Sequence, residues 1–479
     1  MNMKDANFDM TLSKMRILSA LYLFATYFVG VFTIGAWSDD YPALNDPSGT
    51  ALHVTKDARP MAGLLIYLGF NVGQSLDSLI VTRILGLIGL ILLSDLVLSK
   101  LLIKVSSYKI VIATSLAFTL PAFQFWAHWA TMFTAGWAAY FAVLGYVRIT
   151  AGSNKSLILG LSLVTTSWLI YPPVSFFVIA FAFSQSLVSR DTLAQLGKSL
   201  ARASGYLASG ALVGTFVSLV FLYTTNTPRN ARVSLVTISE LPEKVVWFFT
   251  RPFSLSFRPF LIDSPAPGLM AFQVSFSICL LFLLIYLYYR DVVYSIKVLI
   301  LLFGALILCI APLLVVGQNQ IELRLISGNS WLFLFLIVYF GLSAVERISK
   351  GIGKNRFEYL IGLSILLLGM FTVNDRFLSF IHPIYDSNQV FFAGELKLCD
   401  SAQLKNGIEI VKRNSSWPTK PLIGFYSQST DLESEWVPVP ALQSYFERIG
   451  QDSYGNILLV DRPSSSEVCQ VFLENFPSG

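Results

Sequence analysis

The chain has 479 residues, of which 54% are hydrophobic and 13% charged, and its mean hydropathy is +0.63. Soluble domains carry about 25% charged residues, so the composition excludes a soluble globular protein and indicates a polytopic α-helical membrane protein. The net charge of +5 and pI near 8.8 imply no nucleic-acid partner, because the basic residues follow a membrane topology.

Hydropathy divides the chain into eleven spans: 16–36, 79–99, 110–126, 131–149, 156–171, 173–189, 205–224, 268–289, 298–317, 328–345 and 357–373. Each approaches the ~20 apolar residues needed to cross a bilayer. The first apolar stretch is too long for a cleavable signal peptide, and no small-residue cleavage site precedes Trp37-Ser38-Asp39. With the N-terminus in the cytoplasm, the inner segments carry Lys4, Lys14 and Arg16; Lys100, Lys104 and Lys109; Arg148 and Lys155; Arg190, Lys198 and Arg202; Arg290 and Lys297; and Arg347, Lys350, Lys354 and Arg356. The two shortest outer turns, near His128 and at Pro172-Pro173, carry neither Lys nor Arg. The positive-inside rule therefore fixes the expected orientation.

Most of the polar mass falls on the outer face, in segments 37–78, 225–267 and 318–327 and in a tail from residue 374 to 479. The tail holds thirteen acidic residues against eight basic ones, which suits an outer location. Pro421–Tyr426 and Asn456–Asp461 read as short buried strands, and 400–413 and 440–449 as helices. The expected organisation is a membrane domain, 1–373, with interfacial helices in its outer loops 37–78 and 225–267, followed by a small α/β domain, 374–479. Cys279 and Cys309 lie within spans. Cys399 and Cys469 bracket the tail, where an oxidising compartment would join them as a disulfide; two buried free thiols are the alternative.

The first outer segment opens with Ala36-Trp37-Ser38-Asp39-Asp40-Tyr41. Adjacent carboxylates where a chain leaves lipid are costly unless they act on a polar substrate or mark a wet loop. Lys56-Asp57-Ala58-Arg59-Pro60 follows, then an apolar stretch, 61–70, too short to span. Pro60 suits the first turn of a helix, which would lie along the membrane surface. Arg59 could bind a phosphate or pair with Asp39, Asp40 or Asp57. In the second span, Arg83 and Asp95 are about three turns apart and do not pair; Arg83 either snorkels or joins the same site.

Tyr171-Pro172-Pro173 makes a tight outer turn whose apolar flanks could line a polyprenyl groove. The second outer segment mixes cations with aromatics, including Arg251 and Arg258, with a further interfacial helix expected over 239–251. Such cations could hold a lipid-linked phosphate or anionic headgroups. In the third segment, Arg324 is confined between two spans, and its planar fork matches a phosphate better than an ammonium would. It is preferred to Arg59 as the phosphate clamp, the alternative being an ion pair with Glu322. No Cys/His metal spacing, nucleotide loop or serine elbow occurs in the sequence, and no cytoplasmic segment is large enough to bind ATP.

Together these residues resemble the O-antigen glucosyltransferases of the Gtr type II kind, and more broadly the type C membrane glycosyltransferases. The resemblance rests on Trp37-Ser38-Asp39-Asp40-Tyr41 after the first span, on Asp57-Ala58-Arg59-Pro60, on the Tyr171-Pro172-Pro173 turn, and on the order of spans across 1–373; the tail matches nothing in it. It implies transfer of a glucosyl or related hexosyl unit from an undecaprenyl-phosphate-linked donor to a polysaccharide acceptor on the periplasmic face of a bacterial inner membrane. It also implies that an acidic residue after the first span, Asp39 or Asp40 and preferably Asp40, is the base. Arg324 or Arg59 would stabilise the leaving phosphate, and Tyr41, Asp57, Glu322, Tyr171, Arg251 and Arg258 are candidate substrate contacts. A monophosphate leaving group requires no cofactor, although Asp39 and Asp40 could hold a divalent metal. The alternative from another class is a transporter or flippase of a lipid-linked sugar, which would need inverted repeats or broken helices; the spans read as mainly unbroken. An acyl- or phosphoethanolamine-type transferase is the third reading, disfavoured by the lack of a nucleophile signature.

Overall fold

A computed structural model describes residues 3–36, 40–73, 75–103, 107–230, 234–257, 267–317, 323–348, 354–378, 392–399, 403–404, 408–411, 442–443, 445, 457–460 and 468–472. The membrane part is helical. Its first helix, α1 (Met3–Phe32), is followed by α2 (Asp40–Asn45), α3 (Pro47–Lys56), α4 (Pro60–Phe70), α5 (Leu79–Leu102), α6 (Tyr108–Ala117), α7 (Pro121–His128), α8 (Thr134–Thr150) and α9 (Asn154–Ile170). The chain continues through α10 (Pro172–Ser175), α11 (Phe177–Val188), α12 (Leu193–Thr224), α13 (Leu241–Phe248), α14 (Pro267–Tyr289), α15 (Val292–Cys309), α16 (Pro312–Val315), α17 (Ser327–Ile348) and α18 (Lys354–Arg376).

Among the described residues, seven helices are long and apolar enough to cross a membrane, and eight if a bent pair counts as one span. That bent pair corrects the reading of 110–126 as one continuous span. There α6 and α7 meet at 66°, because Leu120 is extended and Pro121, at the start of α7, cannot continue the ladder. The other three expected spans fall on shorter apolar helices: α9 with 17 residues, the α10–α11 segment Pro172–Val188, and Leu360–Asp375 within α18. The count of eleven therefore separates into seven long helices, one broken one and three short ones.

The centre of the bundle is aromatic. Phe118, Phe123, Trp126, Phe177 and Trp331 are all buried, with ring centroids 4.7 Å apart for Phe123–Trp126 and 5.2 Å for Phe177–Trp331. Close helix approach depends on small residues. A Cβ added at Gly145 of α8 would lie 2.7 Å from the Gly160 carbonyl of α9, and one at Gly160 would lie 2.7 Å from the Gly145 carbonyl. These glycines let the two backbones touch. Between α1 and α5, Arg16 makes a two-pronged ion pair with Asp95 at 2.6 and 2.5 Å, so neither charge meets lipid alone.

The expected surface helix after Pro60 is one arm of a hairpin. Helices α3 and α4 pack against each other, and a Cβ at Gly63 would collide with Thr55 Oγ1 at 2.3 Å. Leu64, Tyr67 and Leu68 of α4 remain exposed, as an interfacial helix requires. The segment 239–251 contains α13 and then a π-helical turn, Phe249–Phe253.

In the tail, a three-stranded parallel sheet has the order β2-β1-β3, from β1 (Ile408–Val411), β2 (Ile457–Val460) and β3 (Cys469–Phe472). Ile408 is in register with Ile457 on one side and Cys469 on the other. Strand β2 matches the expected strand at Asn456–Asp461. The reading of 400–413 as a helix is corrected over 408–411. Ile408-Glu409-Ile410-Val411 alternates β-branched residues around one polar one, a pattern that suits a pleated strand. The expected strand at Pro421–Tyr426 lies outside the described residues. Cys399 and Cys469 form a disulfide, with Cα atoms 5.4 Å apart across 70 residues of sequence. Cys309 is buried and Cys279 exposed as free thiols. Phe392, Leu396, Ile408 and Cys469 share one apolar cluster with Ala36, Tyr41, Leu44, Ile66, Phe70 and Phe133, so the tail packs on the end of the bundle that carries α2 to α4.

Candidate functional site

Asp40 begins α2 and is fully buried. Its Oδ1 accepts the Thr131 backbone N–H at 2.9 Å and its Oδ2 that of Ala130 at 3.3 Å. Both donors open the 3₁₀ turn Ala130–Met132 between α7 and α8, where unpaired N–H groups suit a carboxylate. Arg83, also fully buried, approaches Asp40 Oδ2 to 3.9 Å. It donates Nη1 to the Thr33 carbonyl at 2.7 Å and Nη2 to that of Gly35. One guanidinium from α5 thus ties the exit of α1 to the acidic turn. Arg83 therefore joins the site rather than snorkelling, and Asp95, paired with Arg16, does not reach it.

The Asp57-Ala58-Arg59 link between α3 and α4 forms a second cluster. Arg59 Nη2 donates to Asp57 Oδ2 at 2.7 Å, so Asp57 is its ion-pair partner among the described residues. Asp57 is buried and the Arg59 side chain 20% exposed. The Arg59 guanidinium lies over the Tyr171 ring at 5.3 Å, a cation–π arrangement. Ala58 has φ 60°, a left-handed conformation that costs an alanine roughly 1–2 kcal/mol. The Ser218 hydroxyl of α12 donates to its carbonyl at 2.9 Å, and the turn holds. Nothing in the sequence marks this support, since Ser218 is one of several hydroxyl residues along α12.

The remaining segments close around this turn. Asn230 donates its backbone N–H to the Lys56 carbonyl at 3.0 Å, bringing the second loop to the first. The second loop also joins the end of α16 and the residues just past it, through Val236 N–H to Val315 O at 2.9 Å and Gly317 N–H to Ser234 O at 2.9 Å. The 3₁₀ turn Leu323–Ile326, which carries Arg324, packs its backbone on α10 and α7, beside the Tyr171 turn. Tyr41, the second residue of α2, is buried, and Tyr171 is buried beneath Arg59.

Arg251 is exposed on the π-helical turn and makes no ion pair among the described residues. Nearby, Lys244 is buried and stands over the Trp247 ring at 4.1 Å; burial lowers its pKa from the ordinary lysine value. Asp39, Arg258, Glu322 and the side chain of Arg324 lie outside the described residues. Among the described residues, no group of three or more His, Cys, Asp or Glu could hold a metal ion.

Chemically, the arrangement offers an anchored carboxylate beside an acidic neighbour in sequence, and a partly exposed guanidinium fixed by a carboxylate and an aromatic face. Such a guanidinium retains N–H donors for an anion. A scan against protein-family models and a search of curated proteins both return no match.

Proposed function

We propose that the chain is a membrane glycosyltransferase that moves a hexosyl unit from a polyprenyl-phosphate donor to a polysaccharide hydroxyl. The observation that carries this reading is the meeting of Arg59 with Tyr171 at 5.3 Å. These two motifs, far apart in sequence, are among those on which the resemblance to type C glycosyltransferases rests. A lipid-linked phosphate needs a cation at the membrane surface beside an apolar groove; Arg59 is the cation, and it lies against the Tyr171-Pro172-Pro173 turn whose flanks are assigned to that groove. Arg324, on a turn packed against the same short helix, is the second phosphate-facing cation.

Asp40 uses both carboxylate oxygens on backbone N–H groups and faces Arg83. With both oxygens engaged and the side chain fully buried, Asp40 is not open to an acceptor hydroxyl. We therefore assign the proton to its neighbour Asp39 and give Asp40 the task of pinning the acidic turn. The acceptor oxygen attacks the anomeric carbon as its proton passes to Asp39. The bond from that carbon to the phosphate oxygen breaks, and the electron pair leaves with the polyprenyl phosphate, stabilised by Arg59 and Arg324. The anomeric centre inverts. By this reading the site faces the periplasm of a bacterial inner membrane, and O-antigen or a similar surface polysaccharide is the acceptor.

The bent α6–α7 pair supports one second reading, a flippase of the same lipid-linked sugar, because broken helices recur in transporters. Incubating membranes that contain the chain with polyprenyl-phosphate hexose and isolated polysaccharide separates the two. A transferase adds one hexose mass to the polysaccharide; an unchanged polysaccharide alongside relocated donor would establish the flippase.

A further inference from the structure

The helices that leave the Tyr171 turn end in a second cationic cluster. From Pro172 to Val188 the chain covers 17 residues, about 25 Å of helix, and Arg190 lies just beyond. There the Arg190 guanidinium stands 5.5 Å from the centre of the Tyr288 ring, and Arg347, at the end of α17, stands 5.2 Å from the same centre. Arg190 Nε donates to Tyr288 Oη at 3.1 Å, and Arg347 Nη1 donates to the Leu287 carbonyl at 2.6 Å. Each guanidinium has five N–H donors, so both keep donors to spare.

No carboxylate among the described residues balances these charges. Glu346 pairs with Lys109 instead. Asp291 caps α15 by accepting the Tyr294 N–H, and Asp191 meets the cluster through its backbone carbonyl, which accepts from the Tyr294 hydroxyl. Tyr289 and Tyr339 complete the surroundings. Arg190, just past α11, and Arg290, just past α14, have φ of 56° and 61°, a helix-ending conformation in which glycine is usual. Arginine occupies both at a cost in backbone strain. On α14, which carries Tyr288, and on α15, which follows it, Leu283, Val292, Val293 and Ile296 expose apolar surface of the kind that acyl chains cover.

We propose that Arg190 and Arg347, arranged around Tyr288, bind the phosphodiester of an anionic phospholipid headgroup at the membrane end opposite Asp40. The shared chemistry is phosphate recognition by guanidinium; the adjoining apolar faces assign it to a lipid rather than to free phosphate. The site does not depend on the glycosyl-transfer reading.

Native mass spectrometry of the full chain tests this, by titration in detergent with dioleoylphosphatidylglycerol and dioleoylphosphatidylcholine. The wild type should retain the anionic lipid preferentially. Arg190→Gln and Arg347→Gln should each reduce that preference about fivefold, and the double variant should abolish it. Arg148→Gln, an exposed cation at the same end, should leave it intact. Arg190→Gln changes an exposed side chain and gives the answer alone if the double variant does not fold. Equal preference in the wild type and the Arg190 and Arg347 variants would overturn the proposal. Displacement of the bound lipid by millimolar inorganic phosphate would overturn its assignment to a lipid.

Discussion

At the scale of single residues, two neighbouring aspartates are expected to fail in different ways. Asp40→Asn leaves Arg83 buried without its counter-charge, and breaking a buried pair costs about 3–5 kcal/mol. Its thermal unfolding in detergent should therefore shift clearly downward. Asp39→Asn should leave unfolding unchanged and lower turnover by at least about 10². The reverse pattern would return the base to Asp40. Arg59→Lys keeps the charge but loses the planar fork, so donor KM should rise about tenfold with turnover less affected, as steady-state kinetics would show. Tyr171→Leu removes a cation–π contact of about 0.5–2 kcal/mol and should act in the same direction, more weakly. The Asp57–Arg59 pair was legible because the two residues are close in sequence and both charged. The engagement of Asp40 was not, since its donors are backbone N–H groups 90 and 91 residues away, and backbone donors carry no mark in a sequence.

At the scale of elements, apolar runs located the long helices, because hydropathy reports length and composition directly. It reports continuity less well. Pro121 stood in the sequence, yet the apolar run across it concealed a 66° bend. In the tail, Ile408–Val411 was misread because four residues offer too little periodicity to separate strand from helix. Helix pairing is a further property that hydropathy omits. Gly145 and Gly160 bring α8 and α9 into backbone contact, and α9 delivers Tyr171 to the site. Gly145→Val should force the helices apart, at about 1–3 kcal/mol, and should depress turnover together with the unfolding temperature. A variant with wild-type stability would show that this contact is not required.

For the whole molecule, three loops and a tail gather at one end of a helical bundle, and the disulfide stabilises the tail. Closing a loop of 70 residues contributes about 4 kcal/mol. Cys399→Ser should accordingly increase protease sensitivity of the tail while leaving the membrane helices folded by circular dichroism. Sequence indicated the pairing, since these two cysteines alone fall outside the spans. It could not indicate that the tail's apolar cluster is continuous with Tyr41 and Phe70, which requires knowing how distant segments pack.

We propose that this end of the molecule transfers sugar rather than moving its carrier across the bilayer. Purified chain in sealed proteoliposomes, given polyprenyl-phosphate hexose and external polysaccharide, tests it most directly when hexosylated polysaccharide and released polyprenyl phosphate are counted together. The two products should appear in equal amounts, both lost in Asp39→Asn and formed only with acceptor present. Donor appearing in the opposite leaflet, with neither product formed, would contradict it.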